Sequence, residues 1–263
     1  MDEITKLEDV RPGDIMFGPI GGLVGVGVGL GQLALREAFR IGRLSVRHVG
    51  IVVEGSVHHE GPMVRNRETG DCRSGAHLLD AEGIEQVAPV PEPWDFYPNG
   101  VITAPKLVQA MPRGAEEIEM RYDTHWTPRH VFMRLTEDYP GQAEDAAAIA
   151  RLMVREGVAY SFASYGALAA WRWGVKTPRL EAWIGRRRPG GDYVDGVGHI
   201  GPRGFTDLQI PVEAICSVLV DQAWSLAGKR VMVGTKPQVV TPGAMAIQLW
   251  NRSNVVRGGA GLL

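Results

Sequence analysis

A cysteine placed to open an apolar helix and a histidine set inside an apolar strand are the residues of this chain best suited to covalent chemistry. Cys216 lies in Pro211-Val212-Glu213-Ala214-Ile215-Cys216-Ser217-Val218-Leu219-Val220-Asp221-Gln222-Ala223-Trp224-Ser225-Leu226-Ala227-Gly228. Leu219, Val220, Ala223, Trp224 and Ala227 recur at helical spacing, and Gly228 is a natural C-terminal stop. With Pro211 upstream, the helix is expected to begin close to Cys216. A thiol at that point faces unpaired backbone N–H groups and the positive end of the helix dipole. Both lower a thiol pKa from about 8.5 and make the thiolate available. Such a cysteine with a distant histidine is enough for covalent hydrolase chemistry. The plainer alternative is a buried core cysteine.

His48 is the best base among the seven histidines. It stands in Val46-Arg47-His48-Val49-Gly50-Ile51-Val52-Val53, where a polar side chain needs a reason. The alternative is a core histidine satisfied by backbone. His58 and His59 fall in a polar stretch; His77, His125, His130 and His199 have no comparable setting, and solvated loop positions are expected for most of them. Gln109 is the one uncharged polar residue in Leu107-Val108-Gln109-Ala110-Met111. If that strand pairs with the His48 strand, its carboxamide oxygen can accept from the imidazole, fix the tautomer and leave the other nitrogen for the thiol. An ordinary strand surface position is the competing reading for Gln109.

The elements that must position these groups follow from pattern. Arg11-Pro12-Gly13-Asp14-Ile15-Met16-Phe17 is a turn leading into a first strand, and residues 46–53 form a second. Residues 106–111 form a third, closed by the turn Pro112-Arg113-Gly114; residues 116–121 and 131–135 form a fourth and fifth. Helices are expected over 32–40, 143–156 and 161–173 and from Cys216, with a last short strand near 244–249.

The chain of 263 residues fits one domain with insertions, and its 44% hydrophobic content is ample for a core. We expect a single domain over 1–263. Within it lie a glycine-rich apolar segment at 18–32, insertions at 57–104 and 174–210, and a C-terminal strand and tail at 236–263. Long loops of this kind are commonly covers, partner surfaces or poorly ordered segments. A net charge of −2 gives no argument for nucleic acid or for an anionic membrane surface. The two cysteines have no metal-ligand spacing, a Cys72–Cys216 disulfide is not favoured, and Cys72 reads as a loop residue. Met1-Asp2-Glu3-Ile4-Thr5-Lys6 is acidic and polar, unlike a secretory signal. Residues 17–35 are uncharged, but seven of the nineteen are glycine, a poor helix in water. Membrane contact through 17–35 is therefore the less favoured reading, and the segment lacks the Gly-Lys-Ser/Thr ending of a phosphate loop.

Five blocks in order carry a resemblance. They are Arg11-Pro12-Gly13-Asp14-Ile15-Met16-Phe17, His48-Val49-Gly50-Ile51-Val52, Val108-Gln109-Ala110-Met111-Pro112-Arg113-Gly114, Ile215-Cys216-Ser217-Val218-Leu219-Val220-Asp221 and Thr241-Pro242-Gly243. Together they resemble the circularly permuted branch of the NlpC/P60 superfamily, which has a papain-like fold and includes lecithin–retinol acyltransferase-like proteins. Histidine precedes cysteine here, as in that branch. The resemblance implies an α+β fold, an antiparallel sheet or small barrel packed against helices. It implies Cys216 as nucleophile, His48 as general base and Gln109 as the third polar residue, where a carboxylate is more frequent. Gly157-Val158-Ala159-Tyr160-Ser161-Phe162 is similar to the family's Gly-x-x-Tyr segment, so Tyr160 is expected to line the site or aid the oxyanion, with a packed core tyrosine as the alternative. Ser217 joins it as a substrate or oxyanion contact, and the Cys216 backbone N–H supplies the oxyanion hole.

The expected activity is thiol-dependent hydrolysis of amide or peptide bonds, with bacterial cell-wall peptides as the preferred substrate and no cofactor. The expected setting is the cytoplasm or a phage particle, where other virion or tail proteins are the partners. Two alternatives stay open: a lipid-directed acyl hydrolase or acyltransferase, and a non-catalytic papain-like assembly module.

Overall fold

The computed structural model describes residues 9–19, 39–41, 44–61, 63–66, 72–74, 94–97, 101–120, 130–161, 193–196, 208–211, 213–232, 241–252 and 255–258, with positions 4, 26, 28, 29 and 32. Its centre is one antiparallel sheet. The strands are β1 (Ile15–Gly18), β2 (His48–Glu54), β3 (Lys106–Met111), β4 (Gly114–Glu119), β5 (Val131–Leu135) and β6 (Val255–Gly258), in the spatial order β4-β3-β2-β1-β5-β6. Among the described residues the helices α1 (Gln142–Arg155), α2 (Cys216–Leu226) and α3 (Pro242–Trp250) give an α+β arrangement.

Strands β1, β2, β3 and β5 are largely apolar on both sides because both sides are covered. Ile15 and Phe17, Val49, Ile51 and Val53, Val108 and Ala110, and Val131 and Met133 share one buried cluster with residues of all three helices. The alternate residues Met16, Val52, Leu107 and Phe132 turn the other way and bury with Val10, Ala104 and Met120. Strand periodicity of two makes this division.

Helix α2 is the central helix of the layer, buried on nearly every side, and it packs on α1, β2 and β3. Near its C-terminal end Trp224 Nε1 donates to the Gly13 carbonyl at 3.2 Å, while the Gly13 N–H donates to the Val52 carbonyl at 2.8 Å. Gln142, at the start of α1, donates to the Ala227 carbonyl at 2.8 Å. These contacts hold the end of α2 beside the start of β1 and the end of β2. Its opposite end, with Cys216, therefore points toward the end of β1 and the start of β2. A fork from Arg134 Nε and Nη2 to Asp14 at 2.8 and 2.7 Å fixes β5 to β1 at a nearly inaccessible carboxylate.

Several expectations need correction. Residues 244–249 are helical, not a strand: Thr241 caps α3 by accepting from the Ala244 N–H at 3.0 Å, Pro242 occupies the first turn, and Met245, Ala246 and Leu249 bury at helical spacing. The closing strand comes later, at β6. The fourth strand starts at Gly114, because the tight turn at Pro112-Arg113 sets the pairing from Met111↔Gly114 onward. Phe39–Ile41, expected to end a helix, instead pairs antiparallel with Leu44–Val46. Cys72 and the pair His58–His59 lie in strands rather than loops: Cys72–Ser74 joins Met63–Asn66 and Trp94–Tyr97, and His58–His59 joins Val101–Ile102. In the second long segment, Tyr193–Gly196 pairs with Leu208–Pro211. Cys216 is not in a disulfide. The helix expected over 161–173 lies outside the described residues beyond Ser161. Among the described residues no helix is long and apolar enough to cross a membrane.

Candidate active site

The β3–β4 hairpin fixes the first half of the site. Counting back from its turn, Gln109 falls directly opposite Glu116, so the two side chains share a face. On the other flank, a side chain at Gly50 would stand 3.2 Å from the Val108 carbonyl oxygen and 3.8 Å from Gln109 Cβ. Glycine thus lets β2 pass closely beside the Val108 carbonyl, next to Gln109. His48, two residues earlier on β2, meets Gln109 there: His48 Nε2 and Gln109 Oε1 are 2.6 Å apart.

The direction of that bond follows from the next one. Gln109 Nε2 donates to Glu116 Oε1 at 2.9 Å. A carboxylate only accepts, so the amide NH2 belongs on the Glu116 side and the carbonyl oxygen on the histidine side. His48 must then carry its hydrogen on Nε2, leaving the Nδ1 lone pair for chemistry. Burial pushes the imidazole down to about 4, against a weaker upward pull from the Gln109 hydrogen bond. The resting His48 ring is neutral imidazole.

His130 is part of the same corner, contrary to the solvated position expected of it. It directly precedes β5, is 2% exposed, and sits against Gly18, which pairs with His48. A Cβ at Gly18 would stand 2.5 Å from His130 Cδ2 and 2.7 Å from Nε2. Burial, and then the charge of His48, press its pKa down to about 4. Its position one residue before an apolar strand was the available sequence signal. Glu116 was also not foreseen, and its signal was the two-residue turn at Pro112-Arg113, which sets its pairing with Gln109.

The second half of the site is the start of α2. Ile215 caps the helix with an extended backbone and makes no side-chain cap bond, and the first turn holds no acidic residue. The positive helix end therefore meets Cys216 with no carboxylate of its own first turn to offset it. Cys216 and Ser217 are both buried. Tyr160 is half-buried in Ala159–Tyr160, which pairs in parallel with Glu213–Ala214 just before the cysteine. Burial raises the Tyr160 hydroxyl pKa, and the nearby Cys216 charge raises it further.

The two halves share one end of the sheet. The Ala115 N–H donates to the Val158 carbonyl at 2.7 Å, and the Ser161 N–H donates to the Ala214 carbonyl at 3.3 Å. Residues 158–161 thereby tie the start of β4 to the residues before Cys216. His48, Gln109, Glu116 and His130 form one group, and Cys216, Ser217 and Tyr160 the other. Strand alternation puts His48 in phase with Gly50 and Val52, on the side turned from the helices, whereas Cys216 belongs to the helix-side cluster. Among the described residues no group of three His, Cys, Asp or Glu side chains is arranged to hold a metal. Comparison with protein-family models, with curated proteins and with solved structures yields no match.

Proposed function

We propose that this chain is a cysteine hydrolase of the permuted NlpC/P60, papain-like kind, acting on amide bonds of peptides, with bacterial cell-wall peptides as the preferred substrate. The observation that carries the reading is the buried His48–Gln109 bond, which selects the imidazole tautomer a thiol partner needs. The start of α2 at Cys216, with no side-chain cap bond from Ile215, supports it.

In the proposed mechanism the start of α2 closes around the end of the sheet and brings the Cys216 thiol to His48 Nδ1, which takes its proton as sulfur attacks the carbonyl. The thiolate charge itself favours the imidazolium, so the pair rather than either residue carries the proton. Backbone N–H groups at the start of α2 receive the oxyanion, with Tyr160 and Ser217 beside them. Collapse breaks the C–N bond, and His48 returns its proton to the leaving amine, leaving a thioester on Cys216. Water then loses a proton to His48, attacks the thioester, and releases the acid with the thiol restored.

Incubation with purified cell walls and with defined peptide amides tests this directly. New amino groups, together with an acyl adduct located at Cys216 by mass spectrometry, are the expected result, and both vanish in Cys216→Ala. Release of fatty acid from lipid esters instead would assign the lipid reading. No turnover and no adduct on any of these substrates would leave the scaffold without catalysis.

A further inference from the structure

Gln109 is an ambiguous partner for a catalytic imidazole. Its carboxamide has two ends of nearly equal shape, one an acceptor and the other a donor, and a half-turn about the last side-chain bond exchanges them. A flipped Gln109 would offer NH2 to His48 Nε2. That would require a bare nitrogen there and move the imidazole hydrogen to Nδ1, where it would block proton transfer from a thiol. A carboxylate in the same place would have no such second state. Something must therefore hold the amide one way.

We infer that Glu116 is a positioning residue that locks the Gln109 amide and, through it, the Nε2–H tautomer of His48. This rests on the proposed role of His48 as base. Three observations carry it: Gln109 and Glu116 are directly opposed in the hairpin register, Gln109 Nε2 donates to Glu116 Oε1 at 2.9 Å, and Gln109 Oε1 meets His48 Nε2 at 2.6 Å. Glu116, as a carboxylate, accepts and does not donate, so a flipped amide would set two acceptors against each other on that side. The same flip would set two donors against each other at His48 whenever Nε2 is protonated. Both ends of the chain thus select one orientation. The arrangement also places a negative charge one amide away from the imidazole, so that the Gln109 carbonyl is polarised toward the ring when His48 takes up a proton.

The test reads the tautomer itself and needs no substrate. In the full chain labelled with nitrogen-15 histidine, the His48 ring signals are assigned by their loss in His48→Asn. Wild type is expected to show a protonated Nε2 and an unprotonated Nδ1 at neutral pH. Glu116→Leu, which cannot hold the amide, is expected to mix the two tautomers; Glu116→Gln, equal in shape but able to donate, is expected to do so in part and guards against misfolding of the first variant. A wild-type tautomer that persists unchanged in both variants overturns the inference.

Kinetics give a second readout. Glu116→Leu is expected to lower kcat about tenfold with KM unchanged, a fraction of the 10²–10⁴-fold typical of a general base. The exchanged pair Gln109→Glu with Glu116→Gln should restore most of kcat. It should also move the acid limb of the pH–rate profile upward, because the carboxylate then touches the imidazole. A tautomer change in a protein that turns over no substrate would uphold Glu116 and remove the proposed activity. Full activity with an unmoved tautomer would do the reverse.

Discussion

His48 Nε2 and Gln109 Oε1 lie 2.6 Å apart in the buried interior, though the two residues are separated by 61 positions in the chain. The contact depends on strand order: β3 must lie beside β2, in a register that brings Gln109 next to Gly50. Replacing Gln109 by leucine keeps the bulk and deletes the acceptor. We expect kcat to fall by about 10²-fold or more, and stability to fall by about 1–3 kcal/mol because a buried imidazole N–H loses its partner. Steady-state kinetics and urea titration of Gln109→Leu measure the two effects; unchanged kcat in a folded variant would remove Gln109 from the mechanism.

The two buried histidines make stability pH-dependent with a definite sign. An unfolded imidazole titrates near 6.5 and the folded His48 ring near 4. Between those values the unfolded chain binds a proton that the folded chain refuses, so stability is intact above pH 6.5 and falls as pH drops toward 4. The difference amounts to ~3 kcal/mol for His48. His130 shifts the same way, and the two are coupled through charge. Urea midpoints at about pH 7.5 and about pH 4.5 should differ clearly for wild type and less for His48→Asn. Equal pH sensitivity in the two proteins would contradict the buried neutral state of His48.

Gly18 is small because His130 occupies the space a side chain would need. Gly18→Ala is expected to cost about 1–3 kcal/mol by overpacking. His130→Ala should relieve most of that cost in the double variant, giving a coupling of about 0.5–3 kcal/mol. Thermal unfolding of the four proteins measures it, and strictly additive losses would mean the two positions do not touch.

Thr241 starts α3 where a strand was expected. Thr241→Ala should cost about 1 kcal/mol through the lost cap, and Thr241→Ser should cost little. Were 244–249 extended, the serine variant would bring no such recovery.

What could be read in advance was local. β3 and β5 match their expected spans residue for residue, because β-rich runs with turn residues at their edges leave little choice of register. The start of α2 at Cys216 followed from the spacing of Leu219, Val220, Ala223 and Trp224. The His48–Gln109 contact was legible as a condition on strand pairing, which only tertiary structure could satisfy. Residues 244–249 are apolar in a way that suits either period, and the Thr241-Pro242 start decided for helix. His130 was missed because its burial depends on the missing side chain of Gly18 on the next strand. Glu116 was missed because a surface-looking strand position gains its meaning from the residue across the hairpin.

We propose that His48 and Cys216, drawn together around one end of the sheet, act as a single acid–base pair. The most direct measurement is the rate of Cys216 alkylation by iodoacetamide against pH, in a Cys72→Ser background so that one thiol reports. Cys216 is expected to react faster at neutral pH than a free thiol, to lose rate toward the acid side as His48 takes up its proton, and to follow the curve of an ordinary thiol in His48→Asn. Superimposable curves for the protein with and without His48 would contradict it.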